Sequence, residues 1–279
     1  MKFTKWQGAG NDFVIVNGFQ ETVGDYAKAA IEVCDRHFGV GADGLVFVLP
    51  SDTADFRMRI FNSDGSEAEM CGNVTRCVAR YVYEHGLTDK TKITLETLAG
   101  PIKPELLMDG GNVTGVRVDV GTPGFLRKEV PMTGNPEEEA RNIPVEVDGR
   151  TYVGTGVSVG NPHFVIFVDD INTVDLPVVG PKLETHPLFP RKANIEFVQV
   201  LSKTELRMRV WERGAGITMA CGTGSSATLA AAVVNGKAER RAALHLDGGD
   251  LSIEWGSDNH LYMTGPAVEV FRGEYLLKL

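Results

Sequence analysis

Apolar residues along this chain fall into two rhythms, short runs of period two and longer stretches of period 3.6, and their order predicts the elements. Within Phe3 to Phe19 the run Phe13-Val14-Ile15-Val16 predicts a strand, preceded by a Gly8-Ala9-Gly10-Asn11 loop. Residues 25–37 place Tyr26, Ala30, Val33 and Cys34 on one helical face. Leu45 to Val48 reads as a strand, Phe56 to Phe61 as an alternating one, and Asn62-Ser63-Asp64-Gly65 as a turn. After Cys71, the residues Val74, Cys77, Val78, Tyr81 and Val82 recur at helical spacing until Gly86, a helix stop. Strands follow at 92–98 and 113–120, and the polar segment 133–142 predicts a surface loop.

From there the pattern repeats. Gly10-Asn11 is matched by Gly160-Asn161, Phe47-Val48 by Phe197-Val198, and Arg57-Met58-Arg59 by Arg207-Met208-Arg209. Cys71-Gly72 is matched by Cys221-Gly222, Gly86 by Gly236, and Val118 and Val120 by Val268 and Val270. Every pair is 150 positions apart, without gaps. A common offset of this kind predicts a duplicated fold with a boundary near residue 120. The first half spans 1–120 with about 267–279 added and carries Cys71; the second spans 121–266 and carries Cys221. A single β-rich fold reusing a strand-turn-helix unit is the alternative, but it leaves the recurrence of cysteine unexplained.

Gly39-Val40-Gly41-Ala42-Asp43-Gly44 fits a dinucleotide-binding spacing in the wrong context. A helix precedes it and a strand follows, so it reads as a tight turn. The formal net charge is −9 with basic residues scattered, which argues against nucleic acid or an anionic membrane surface as partner. There is no 18-residue apolar run and no signal-peptide pattern at the start, so a cytoplasmic protein is expected. In that compartment the four cysteines, 34, 71, 77 and 221, are expected as thiols. Their spacing and that of the six histidines fits no metal site, and no cofactor motif is visible.

Cys34 and Cys77 fall on apolar helix faces and read as core. Cys71 and Cys221 differ, because each opens a helical pattern and is followed by glycine. A helix start presents unpaired N–H groups and a favourable dipole to an anion, and it lowers a thiol pKa from about 8.5. If the halves pack about a pseudo-twofold axis, two such starts converge on one carboxylate. A thiolate on one side removes the α-proton and a thiol on the other returns it to the opposite face, inverting the centre. The N–H groups stabilise the charge that develops on the carboxylate. Asn11, Asn62, Asn161 and Asn194 sit beside strand ends, where asparagine also serves turns. Glu212-Arg213 suits either a grip on ammonium and carboxylate groups or an exposed ion pair. His163 suits either proton relay or a structural hydrogen bond.

At these residues the sequence resembles the diaminopimelate epimerases, cofactor-independent amino-acid epimerases. The resemblance is carried by Gly10 to Phe13, Arg36 to Gly44, Phe61 to Ser66, Met70 to Asn73, Gly160 to His163, Asn194 to Phe197, and Trp211 to Gly214 with Ala220 to Gly224. It implies an α+β fold of two pseudo-symmetric domains, each a largely antiparallel sheet or barrel around a central helix, with the site in the cleft between them. It implies Cys71 and Cys221 as the acid–base pair, supported by His163 and Glu212. The amides at Gly72-Asn73 and Gly222-Thr223 would hold the reacting carboxylate. Asn11, Asn62, Asn161, Asn194, Glu212 and Arg213 would bind the remaining groups. LL-diaminopimelate would be converted to the meso form for lysine and peptidoglycan synthesis, by a homodimer with no cofactor and no metal.

Two departures bear on substrate preference. Val74 stands where the family commonly has glycine, and Gly44 where many members carry a substrate-binding glutamine. The competing readings are a racemase or epimerase of histidine or hydroxyproline, or a non-catalytic relative; retention of both cysteines speaks against the last.

Overall fold

In the computed structural model, which describes residues 1–278, the period-two stretches are strands and the period-3.6 stretches are helices. The chain begins β1 (Lys2–Gly8), β2 (Asn11–Asn17), α1 (Tyr26–Cys34), β3 (Gly44–Leu49), β4 (Phe56–Asn62), β5 (Glu67–Ala68) and α2 (Gly72–Glu84). It continues with β6 (Leu95–Thr97), β7 (Gly100–Ile102), β8 (Glu105–Asp109) and β9 (Asn112–Gly121). Then come β10 (Ile143–Val147), β11 (Arg150–Ser158), β12 (Pro162–Val168), α3 (Leu176–Glu184), β13 (Asn194–Val200) and β14 (Glu205–Glu212). The rest is β15 (Gly216–Ile217), α4 (Gly222–Val234), β16 (Arg241–Leu246), β17 (Gly249–Trp255), β18 (Leu261–Gly265) and β19 (Val268–Glu274).

Two compact units result, one of Met1–Val118 with the chain from Thr264 onward, the other Asp119–Met263. In the first, the sheet order is β19-β1-β2-β3-β4-β6-β7, with β5 on β4. In the second, β10-β11-β12-β13-β14-β16-β17-β18 run in order, with β15 on β14. Most pairings are antiparallel. The exceptions occur at equivalent places: β2 with β3 and β4 with β6 in one unit, β12 with β13 and β14 with β16 in the other. Both parallel crossings in a unit are made by a helix, α1 then α2 in the first and α3 then α4 in the second, as parallel neighbours require.

Each unit is thus a mixed, largely antiparallel sheet with a helix at its centre. Helix α4 packs against β11, β12, β13, β14, β16 and β17, and α2 against β1, β2, β8 and β19. Burial follows from this. Ten of the thirteen α4 residues are buried, five of them alanine or leucine, and small side chains let the strands close in. Val74, Cys77, Val78, Ala79, Tyr81 and Val82 form the buried face of α2.

The structure differs from the sequence reading at three places. The stretch Phe3 to Phe19 is a hairpin rather than one strand behind a loop. Ala9 and Gly10 both take positive φ, 53° and 80°, so two residues reverse the chain. The stretch 92–98 holds only the three-residue β6, which turns at once into β7, because Gly100 takes φ 105°. The predicted helix at 25–37 ends at Cys34; its start is capped by Asp25, whose carboxylate accepts from the Lys28 N–H at 3.1 Å.

Candidate active site

Both Cys-Gly pairs open helices of thirteen residues in which the cysteine is the N-cap. The local cause is the same in each. The cysteine backbone is extended, with φ −146° at Cys71 and −125° at Cys221. A hydroxyl residue four positions on then bonds its carbonyl twice. Thr75 reaches Cys71 O through N at 2.9 Å and Oγ1 at 3.0 Å; Ser225 reaches Cys221 O at 2.9 and 2.8 Å.

In the first unit Cys71, Asn11 and Asn73 come together. Asn73 Nδ2 donates to Asn11 Oδ1 at 3.1 Å, and Cys71 Sγ lies 3.9 Å from the same oxygen. Asn11 is turned by Asp43, which accepts from its Nδ2 and from the Asp12 N–H at 3.0 Å. Arg36 clamps both carboxylates, Asp12 at 2.8 Å and Asp43 at 2.7 Å, and Lys5 reaches Asp12 from below at 2.5 Å. Burial alone would raise the Asp12 carboxyl, but hydrogen bonds from Arg36 and Lys5 prevail and lower it to about 2. Asn62, at the exposed end of β4, pairs in register with Gly44 and donates to Ser66 Oγ at 3.0 Å. Beneath Cys71, the guanidinium of Arg76 is wholly buried. It donates to Asn73 Oδ1 at 3.0 Å, Pro266 O at 3.2 Å and Gly72 O at 3.4 Å.

In the second unit Cys221 is buried. Its sulfur accepts from Gly224 N–H at 3.4 Å and lies 3.6 Å from Thr223 Oγ1. Glu212 receives hydrogen bonds from the Thr218 hydroxyl and from Cys221. His163 lies between Glu196, 2.6 Å from its Nδ1, and Asn161, 2.9 Å from its Nε2. Asn194 donates to Pro162 O at 2.9 Å and accepts from the Arg213 N–H at 2.9 Å. The Arg213 side chain turns outward to Arg191 O, so Glu212 and Arg213 point to different partners.

Burial pushes the Cys221 thiol well above its ordinary value, and the Glu212 and Glu196 carboxylates push it further; Thr223 and the Gly224 amide pull only partly back. The expectation that a helix start makes this thiol more acidic is therefore corrected for Cys221, where burial and two carboxylates outweigh the helix terminus. Glu212 is raised as well, by burial first. Cys34 and Cys77 are buried and pushed up to about 12 by burial, so neither is a nucleophile at neutral pH. Among the described residues no three His, Cys, Asp or Glu side chains form a metal-ligating group.

A family model of diaminopimelate epimerases matches residues 3–126 and 155–270 of this chain. A relative from Moorella thermoacetica named diaminopimelate epimerase is 57% identical over 281 residues, covering 99% of this chain and 100% of its own length. One of the same name from Pelotomaculum thermopropionicum is 56% identical, covering 99% of each. The chain belongs to the diaminopimelate epimerase family. It is accordingly an isomerase. Solved structures share the fold at low identity. A phenazine biosynthesis protein of the PhzF family from Bacillus anthracis superposes with a TM-score of 0.73 at 20% identity, over 99% of each chain. A hydroxyproline epimerase from Agrobacterium vitis superposes with a TM-score of 0.66 at 16% identity, over 98% of this chain and 91% of its own.

Against the common pattern of diaminopimelate epimerases, Val74 turns its side chain fully into the core. At Gly44 a Cβ would meet Phe61 O at 3.0 Å, so the register beside Asn62 leaves little room for a side chain. Three residues that order the diaminopimelate epimerase motifs were not singled out from sequence: Asp43, Arg76 and Glu196. Asp43 lay inside a glycine-rich turn that reads as backbone geometry alone. Glu196 did leave a signal, a carboxylate in the otherwise apolar center of β13, since such residues are seldom buried without a partner.

Proposed function

We propose that the chain interconverts LL- and meso-diaminopimelate without a cofactor, with Cys71 and Cys221 alternating as base and acid. The observation that carries this is the recurrence of one local structure, an extended cysteine capping a thirteen-residue helix, once in each unit. A thiolate takes the α-proton, leaving a planar carbanion whose charge spreads into the carboxylate. Amides at the helix starts, Gly72-Asn73 and Gly222-Thr223, bind that carboxylate more strongly as charge grows, which is where the rate is gained. The opposite thiol then delivers its proton to the other face. The high proton affinity of Cys221 suits it to hold that proton at rest. His163 and Glu212 support the Cys221 side, and Asn11, Asn62, Asn161, Asn194 and Arg213 bind the remaining amino and carboxyl groups. The name shared by the relatives supports a role in lysine biosynthesis, and the reading adds a cytoplasmic homodimer.

The test is α-proton exchange in heavy water. LL-diaminopimelate should gain deuterium at the α-carbon as the meso form accumulates. Silence on that substrate combined with turnover of histidine or hydroxyproline would move the assignment to another amino acid.

A further inference from the structure

Glu196 is a carboxylate with no exposure, on a strand whose neighbours Ile195, Phe197 and Val198 are core. One of its oxygens lies 2.6 Å from His163 Nδ1; the other has no hydrogen-bond partner. It also sits against the first turn of α4, where a Cβ at Gly224 would come within 2.8 Å of Glu196 Oε1. His163 is equally buried, and its second nitrogen faces Asn161 Oδ1 at 2.9 Å. Asn161 Nδ2 donates to Thr223 Oγ1 at 3.4 Å, and that hydroxyl lies 3.6 Å from Cys221 Sγ. Polar contacts therefore run unbroken from a buried carboxylate to the sulfur.

The direction of each hydrogen bond follows from the donor inventory. A carboxylate oxygen and an amide oxygen only accept, so with the amide in this orientation both contacts are satisfied only if each ring nitrogen donates. A buried carboxylate with one bare oxygen needs a counter-charge, which a ring donating from both nitrogens would supply. With the Asn161 oxygen held by the ring, its NH2 faces the Thr223 oxygen. The Thr223 O–H is then left to point at sulfur, an arrangement that stabilises a thiolate. If the ring gives up one proton, the amide turns over and its oxygen takes the Thr223 proton. Sulfur then faces a lone pair, which suits S–H.

We propose that Glu196 is a positioning residue of the reaction: it holds His163 as a cation and, through Asn161 and Thr223, orients a hydrogen-bond donor toward Cys221. This rests on the reading of Cys221 as one of the acid–base thiols. The carboxylates acting on that sulfur are Glu212 from β14 and Glu196 from β13, and His163 from β12 acts in turn on Glu212; the first turn of α4 brings no acid.

The experiment is Glu196→Gln in the full chain with Cys71→Ser, following alkylation of Cys221 by iodoacetamide across pH. The sign decides. A lone anion lost from beside a thiol lowers the pH at which it reacts, whereas losing the imidazolium and its oriented donor raises it. The expected result is a rise of about one pH unit, about tenfold slower alkylation at neutral pH. With Thr223→Val also present, the Gln effect should vanish because the chain is cut. For Glu196→Gln with Thr223 intact, no shift or a downward shift overturns the proposal; so does an upward shift that persists undiminished in the Thr223→Val background. Should the Gln variant fail to fold, nitrogen-15 spectra of His163 in the unaltered protein decide instead. Both ring nitrogens should be protonated at neutral pH, and one bare nitrogen overturns it. None of these measurements uses turnover. Loss of the functional reading, seen as full epimerisation by Cys221→Ala, is therefore a separate outcome.

Discussion

The surroundings of Cys71 and Cys221 share a backbone and differ in sign. Beneath Cys71 lies a buried guanidinium, Arg76; at the equivalent position beneath Cys221 is Ser226, which spends its hydroxyl on Gly222 O at 3.0 Å. Beside Cys221 lie the carboxylates Glu196 and Glu212, whose counterparts in the first unit are Val46 and Asn62. The glycine that Glu196 demands, Gly224, has Val74 as its counterpart, and Val46 makes no such demand. The lesson is that the duplicated scaffold fixed where a sulfur stands, while single side chains on neighbouring strands set the charge it meets. A two-base reaction gains from such inequality, since one group has to hold a proton while the other lacks one.

The comparison breaks most readily at the sulfurs themselves. Cys71→Ala and Cys221→Ala should each lower kcat for epimerisation by about 10²–10⁴-fold, the range of general acid–base catalysis. Equal activity of either variant with the parent would show that only one half of the duplication is chemical. A smaller but still large effect is expected one turn below. Arg76→Met leaves the Asn73 and Pro266 oxygens without their buried donor and should cost about 3 kcal/mol in denaturant unfolding. Ser226→Ala should cost within about 1 kcal/mol, and matched losses would mean that the buried cation has no special place. The smallest effect concerns Asp12, whose counterpart is Pro162. A carboxyl depressed to about 2 in the fold stabilises above its unfolded value of 3.8, and that contribution drains as pH falls toward 2. Stability should thus lose about 2 kcal/mol between pH 5 and pH 2, and Asp12→Asn should remove that part of the slope.

Much of the fold was legible because its signals are local. Glycine after each cysteine and apolar spacing through Tyr81 and Val82 marked α2. The constant offset carried the same boundaries to α4, and it also holds for α1 and α3, at Tyr26–Cys34 and Leu176–Glu184. What escaped is set by distance in the sequence. The turn at Ala9-Gly10 needs a left-handed alanine, which no propensity announces. The strands β6 and β7 are three residues each, too short for a period to register. Glu196 and His163 are 33 residues apart and meet only because β12 and β13 pair in parallel, a register not encoded in either strand alone.

The closing strand imposes an order on assembly. β19 lies against β1, the N-terminal amine bonds Tyr275 O at 2.8 Å, and Arg76 is satisfied by a carbonyl 190 positions further on. A ribosome working from the amino end therefore finishes every strand from β10 to β18 before it supplies these partners of the first unit. Until Pro266 emerges, a guanidinium destined for the interior lacks one of the acceptors that hold it there. The earlier-made part of the polypeptide is thus the later one to mature, and trimming the tail should unsettle residues at the opposite end of the gene product.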